Sequence, residues 1–572
     1  MAGARRVTAC DEGRWWAVGE QRIVRRTPSW SALVGAVLFY CLSFTPSLLP
    51  RPWLLQATAG AITAFFGYGL GAFFGLVARR CGLLPSPAVR RAGWWLLAGV
   101  GGGAVVAITA WSVRWQGDAR RAVGLDPRIG WWQWTLVLPV ALLLGALLVL
   151  AARAVRLGTR TLRRILAPAV PGWAAAAGAA ALAAVLVVGF VQGFLLRGLL
   201  GLAERGAALT DRSTGPGIVR PELPTLSGSP DSYESWDSLG AKGRDFVGQA
   251  PTAARISGFT GRPAKDPVRA YVGLRSGEGI GLTDPERVLQ ERARRAVAEL
   301  DRAGGFQRKV LVVLGTTGSG WVNERIAQPP EYLYDGDSAE VAFQYSYLPS
   351  WISFLTEGKA SEAGRALYDA VHAHWSQLPA DSRPRLLVAG ESLGSYAVER
   401  AFPGGVDQLT AETGGALLVG PTPDNPLRKT ITDGRAPGSP VWRPVYQDGR
   451  TVRFAQQTSD FAIPDAPWPQ PRVVYLQNGS DPVVWWQPAL IWSRPAWLNG
   501  QRAHDVPPTM RWYPVVTFWQ VTCDLAASEA VPEGHGHRYG LMPVEAWSRI
   551  VPPDGWTPQD TERLVAYLRE QP

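Results

Sequence analysis

Arg385-Leu386-Leu387-Val388-Ala389-Gly390-Glu391-Ser392-Leu393-Gly394-Ser395 is an apolar run that stops at a Gly-x-Ser-x-Gly. A short buried strand followed at once by this pentapeptide is the pattern of a nucleophile elbow, whose strand-to-helix turn forces the serine into a tight conformation. The flanking positions must then be almost free of side chain, as Gly390 and Gly394 are. The pentapeptide alone also fits an ordinary glycine-rich turn. Its context decides: a strand precedes it, and Ser395-Tyr396-Ala397-Val398-Glu399-Arg400-Ala401-Phe402 can continue as a helix.

Working outward, the strand-like runs Val268–Leu274, Val310–Leu314, Val341–Tyr347, Leu386–Ala389, Ala416–Val419 and Val473–Leu476 alternate with helical stretches. One helix starts at Thr283-Asp284-Pro285-Glu286 and stops at Gly304-Gly305; another covers Glu362–Ser376. Alternation of this kind predicts a mostly parallel sheet with helices on both faces. Gly277-x-Gly279-x-Gly281 reads as a loop, because no helix follows it directly. Gly315-Thr316-Thr317-Gly318-Ser319-Gly320-Trp321 lacks the lysine of a phosphate loop. Placed one strand before the serine, it is suited to carry an oxyanion-hole amide, from Thr316 or Thr317, opposite that of Leu393. The alternative is a plain βα turn.

The strand Val473–Leu476 runs into Gln477-Asn478-Gly479-Ser480-Asp481-Pro482. An acid just past a strand end and C-terminal to the serine suits the triad carboxylate, so Asp481 is the candidate; the same residues would also make an Asx-turn before proline. Gly534-His535-Gly536-His537-Arg538-Tyr539 follows, before a final helix from Val544 onward, and completes the order Ser, Asp, His. One histidine would act as general base, with a slight preference for His537 over His535. A zinc site would need a third ligand that the sequence does not nominate. His372 and His374 lie two apart on a helix and do not share a face; His504 lies in a polar loop. Val484–Cys523 holds Trp485, Trp486, Trp492, Trp497, Trp512 and Trp519, as core packing or as an interfacial lid or acyl groove.

The first 205 of the 572 residues differ in character. Five apolar runs, 30–49, 54–78, 93–113, 131–152 and 172–196, each reach the ~20 residues a spanning helix requires. None contains Asp, Glu, Lys or His, which argues against an ion pathway. Tryptophans such as Trp15, Trp94, Trp95, Trp131 and Trp132 crowd the run ends, where indoles favour the headgroup layer. Arginines concentrate before the first run (Arg5, Arg6, Arg14, Arg22, Arg25, Arg26), after the second (Arg79, Arg80, Arg90, Arg91) and after the fourth (Arg153, Arg156, Arg160, Arg163, Arg164). Arg51, Arg114, Arg120, Arg121 and Arg128 lie on the other side. By the positive-inside rule the N-terminus is cytoplasmic, and everything after the fifth run lies outside. The net charge of +11 belongs largely to these clusters, so it reads as membrane topology rather than nucleic-acid binding. The four cysteines have neither disulfide nor metal spacing.

The expected organisation is a helical transmembrane bundle over 1–205, a flexible linker over 206–235 rich in Gly, Pro, Ser and Thr, and an α/β-hydrolase fold over 236–572. Five stretches carry a resemblance: Ser238–Val247, Thr317–Trp321, Gln344–Trp351, Gly390–Gly394 and Gly534–Tyr539. They are similar to bacterial membrane-anchored α/β hydrolases that join a multi-spanning N-terminal region to a serine-hydrolase-like domain. The resemblance implies a hydrolase fold and a serine nucleophile at Ser392; it supplies no substrate. The expectation is therefore a serine hydrolase at the outer face of the cytoplasmic membrane. It would cleave an ester or thioester of a lipid-like substrate through an acyl-enzyme, with no metal or organic cofactor. Acyl transfer on the same triad, a catalytically silent scaffold or receptor, and a transporter with an accessory outer domain are the alternatives. Oligomeric state is not legible.

Overall fold

Val310–Gly315 and Arg385–Glu391 lie side by side at the centre of a seven-stranded sheet. The structure, a computed structural model, describes residues 28–83, 86–168, 171–189, 205–277, 284–348 and 357–571. Its strands are β1 (Val268–Val272), β2 (Val310–Gly315), β3 (Ser338–Phe343), β4 (Arg385–Glu391), β5 (Gly415–Val419), β6 (Val452–Ala455) and β7 (Arg472–Leu476). They run in the order β1-β3-β2-β4-β5-β7-β6, every neighbouring pair parallel. The chain winds outward from β2 to β3, then returns to place β4 on the other side of β2. Loops leaving β2 and β4 therefore diverge, opening the crevice at which sheets of this kind bind ligands.

Up to residue 189 the described chain forms five helices: α1 (Trp30–Ser43), α2 (Trp53–Arg80), α3 (Pro87–Ala122), α4 (Trp131–Leu166) and α5 (Gly172–Val188). Three of them, not five, are long and apolar enough to cross a membrane: α2, α3 and α4. The first run falls short of a span for a physical reason. Helix α1 ends at Ser43, and the chain turns through Pro46 toward the C-terminal half. Leu48 and Leu49 are apolar because they bury against Trp485, Trp497 and Val521, not because they face lipid. At the last run, α5 is described only to Val188, and residues 190–196 of that expected span lie outside the described residues. Large apolar side chains on the three long helices, including Phe73, Phe74, Trp95 and Leu142, are exposed.

The C-terminal helices clothe both faces of the sheet, following the period-2 alternation of its strands. Leu311, Val313, Leu386 and Val388 face α7 (Pro285–Arg302), α9 (Glu357–Trp375), α10 (Leu393–Arg400) and α11 (Pro426–Asp433), counting α6 as Gly240–Gly248. Val310, Val312, Leu387 and Ala389 face α6, α8 (Glu324–Leu333) and, beyond α12 (Val516–Leu525), α13 (Met542–Ile550). A further helix, α14 (Pro558–Arg569), closes the described chain. Asp284 caps α7 by accepting from Glu286 N at 3.3 Å.

Two elements depart from expectation because buried charges interrupt the apolar pattern. Strand β6 carries Arg453, whose guanidinium donates to the carbonyls of Gly449, Phe461 and Ala466. Strand β3 starts three residues early because Glu340 is buried 3.7 Å from Arg269 of β1, which also pairs with Glu331 and Glu324. The stretch 206–235, expected to be a flexible linker, is a pinned strap. Thr225 O accepts from Arg269 N, Ser227 N donates to Arg269 O, and the buried carboxylate of Asp211 accepts from Ala241 N and Gln344 Nε2. Its Gly, Pro and Ser shape turns rather than confer freedom.

The two halves are joined at the α1–α2 connection. Ser47 Oγ and Leu48 N donate to Asp524 Oδ2 on α12, Gln520 Nε2 donates to the carbonyls of Ser43 and Thr45, and Arg51 lies 3.5 Å from Asp524 with both side chains fully buried. The α3–α4 connection reaches the same apolar cluster through Val123 and Leu125. Removing one member of a buried ion pair strands the other and costs roughly 3–5 kcal/mol. Asp524→Ala and Arg51→Ala should each lower the thermal midpoint of the purified full-length protein by several degrees, followed by tryptophan fluorescence; midpoints equal to wild type would mean that the pair does not hold the halves together.

Candidate active site

Glycine positions Ser392 before any catalytic question arises. A Cβ on Gly394 would stand 2.2 Å from the carbonyl oxygen of Gly315, and one on Gly390 would stand 2.4 Å from that of Gly394. Strand β2 and helix α10 can touch backbone to backbone only because all three lack side chains. Ser392 sits at the apex with φ 54° and ψ −121°, a strained conformation for a residue with a Cβ, and is 9% exposed. Its amide donates to Val419 O at 2.8 Å, fixing the turn against β5.

Of the two proposed amides before the elbow, Thr317 N donates to Trp321 O at 3.1 Å and is occupied within its own loop. Thr316 anchors through its hydroxyl to Phe343 O at 2.9 Å, and its amide has no partner among the described residues. Leu393 is the first residue of α10, where the backbone N–H has no intrahelical acceptor.

Asp481 ends the turn that follows β7 and caps a short helix starting at Pro482. One carboxylate oxygen, Oδ1, accepts from Val483 N at 2.8 Å, making the Asx turn. The other, Oδ2, is 2.7 Å from His537 Nδ1 and accepts from the Tyr539 hydroxyl at 2.7 Å. Turn and histidine partner are thus two oxygens of one group. His535 turns elsewhere: its Nδ1 lies 3.5 Å from Asp505 Oδ2. Spacing left the two histidines nearly equal, and the fold gives only His537 to Asp481.

Burial by itself would lower the pKa of His537, but the charge of Asp481, their hydrogen bond and the charges of Glu391 and Glu529 carry it up to about 9. Glu391, next to Ser392, is pushed up by burial and holds Asn323 Nδ2 at 2.6 Å. Two functional residues escaped sequence reasoning. Tyr539 stood in view beside the histidines but has no motif to mark a tyrosine as a carboxylate's donor. Gly420 directly follows β5 at φ +51°, and a Cβ there would reach 2.5 Å from His537 Cε1; a glycine directly after a buried strand was its only signal.

The tryptophans between acid and base divide. Trp485 and Trp497 are core, Trp486 Nε1 donates to Thr522, Trp512 Nε1 donates to Leu490 O, Trp519 meets Phe66 of α2, and Trp492 is exposed. Residues 349–351 of the segment Gln344–Trp351 and residues 278–281 of the glycine loop lie outside the described residues.

A family model described as "Alpha/beta-hydrolase family" matches residues 268–564, and a second, "Alpha/beta-hydrolase family N-terminus", matches 44–251. The chain belongs to this alpha/beta-hydrolase family. No curated protein and no solved structure matches it. Within the family's fold, the divergent β2 and β4 loops, the elbow, and the turns after β7 and before α13 assemble the candidate site.

The raised pKa of His537 is also a statement about stability. A histidine charged more readily when folded contributes stability that is complete below its ordinary pKa of 6.5 and is lost as pH rises through about 9. Between those values wild type should lose thermal stability relative to His537→Gln. Parallel melting curves across pH 6–10 check this; a constant difference would show that the imidazole is not held charged.

Proposed function

We propose that the protein is a membrane-anchored serine hydrolase that cleaves an ester or thioester of a lipid-like substrate. The observation that carries the reading is the Asp481–His537 hydrogen bond at 2.7 Å, in a fold whose strained elbow presents Ser392. Asp481 holds His537 through Nδ1 and leaves Nε2 as the basic atom. Ser392 Oγ attacks the acyl carbonyl carbon, its proton passes to Nε2, and the carbonyl π electrons move to oxygen. The amides of Leu393 and Thr316 receive that oxyanion. As it collapses, the bond to the leaving group breaks and the proton on Nε2 goes to the departing oxygen or sulfur. Water repeats the sequence on the acyl-enzyme, giving the carboxylic acid and restoring Ser392.

A lipid-like substrate is supported by the exposed apolar surfaces of α2, α3 and α4, and by the segment between acid and base, which packs on the α1–α2 connection. The arginine distribution supports a cytoplasmic N-terminus with the hydrolase half outside. An alcohol in place of water would make the same chemistry an acyl transfer.

A fluorophosphonate probe reacts only with an activated serine, so purified full-length wild type should label. Ser392→Ala should abolish labelling, and His537→Ala or Asp481→Ala should slow it by roughly 10³- to 10⁴-fold, a far greater loss than in His535→Ala. An unlabelled, folded wild type would remove the hydrolase reading. The rate of labelling should climb with pH as His537 loses its proton, with an apparent pKa near 9. Glu391→Gln should move this limb toward lower pH, since it removes a charge that favours the imidazolium; a limb near 6.5 in wild type would contradict the assignment of the base.

A further inference from the structure

The pair at the centre of the site comes from two turns far apart in sequence, 477–481 and 534–539, and neither is a regular element. Side chains stitch them together. Asn478 Nδ2 donates to Gly536 O at 2.8 Å, and Gly536 N donates to Ser480 Oγ at 2.9 Å. Gln456, just past β6, receives Gly479 N at 3.3 Å and donates to Gly534 O at 3.3 Å. Ser480, the residue before Asp481, is fully buried, and its hydroxyl proton goes to Asp505 Oδ2 at 2.6 Å. The same oxygen accepts Ser480 N at 3.2 Å and lies 3.5 Å from His535 Nδ1, two residues before His537.

Asp505 is itself fully buried and comes from the tryptophan-rich segment between acid and base. That segment presses on the acid turn, for a Cβ on Gly479 would stand 2.0 Å from Cβ of Ala503. A buried carboxylate is costly, and such groups persist where several donors converge on them. Here the donors are the main chain and hydroxyl of the residue beside the acid, with the histidine beside the base on the same oxygen. Ser480 can hold Gly536 N only with a lone pair free and its proton directed away, and Asp505 is where that proton goes.

We propose that Asp505 is a positioning residue: through Ser480 and His535 it locks the acid turn to the base turn and fixes Asp481 relative to His537. It touches neither substrate nor reacting atoms. This inference rests on the hydrolase reading for its kinetic consequence, but the clamp itself has a readout that does not need catalysis.

The test uses full-length protein in detergent as wild type, Asp505→Ala, Asp505→Asn and Ser480→Ala. Fluorophosphonate labelling is resolved into its maximal rate and half-saturating concentration, and hydrogen–deuterium exchange is followed on peptides covering 534–539. Misplacing a reacting pair by about 1 Å costs roughly 100-fold. Asp505→Ala should therefore lower the maximal rate on that order while the half-saturating concentration stays within about threefold. Exchange in 534–539 should quicken. Asparagine keeps an oxygen that can accept both Ser480 donors, so Asp505→Asn should recover most of the rate. Ser480→Ala removes one hydroxyl and should reproduce the loss; it decides the matter if Asp505→Ala does not fold. Unchanged exchange and rate in Asp505→Ala or Ser480→Ala would overturn the proposal, as would a loss confined to the half-saturating concentration. Quickened exchange with an unlabelled wild type would uphold the clamp and overturn the hydrolase reading instead.

Discussion

The close approach of Gly394 to the carbonyl of Gly315 is the contact on which the rest of the site depends. It lets helix α10 start directly above the sheet, so the chain must reverse within one residue, and that residue is Ser392 at φ 54°. Any side chain at Gly315, Gly390 or Gly394 would lift the helix and relax the turn. The same contact aligns the end of β2 with the end of β4, which brings the amides of Thr316 and Leu393 to the same rim of the sheet. Strain at the apex is sustained by ordinary packing below it: both faces of β2 and β4 are buried.

Much of this was legible in the sequence because it rests on local chemistry. Apolar runs of four to six residues bounded by glycine announced the central strands, and Gly-x-Ser-x-Gly announced the elbow. What escaped depends on partners remote in sequence. Strand β6 contains Arg453, tolerable only because three carbonyls elsewhere receive it. The strap over 206–235 has the composition of a linker, and only the edge of β1 and the buried Asp211 make it rigid. Hydropathy read Leu48 and Leu49 as the end of a span because burial in protein and burial in lipid ask for the same residues. The choice between His535 and His537 could not come from spacing, since it depends on which carboxylate each meets.

The segment between acid and base has two anchors. Near its start the chain leaves Asp481, and Asp505 holds the acid turn; near its end Asp524 receives Ser47 and Leu48 from the first helical connection. Its tryptophans mostly pack inward, so it is a fixed structural bridge between the helical half and the sheet rather than a free flap.

The hook formed by Ser47-Leu48-Leu49 has a consequence for how such a protein can change over generations. A simple tether can be exchanged for any other hydrophobic helix, because all it supplies is proximity. This one inserts two leucines into the partner half and satisfies a buried carboxylate there, so an exchanged tether would leave an open apolar socket and an orphaned charge. The helical half and the sheet half are therefore matched parts, and a substitution in the hook would call for a matching one around Asp524.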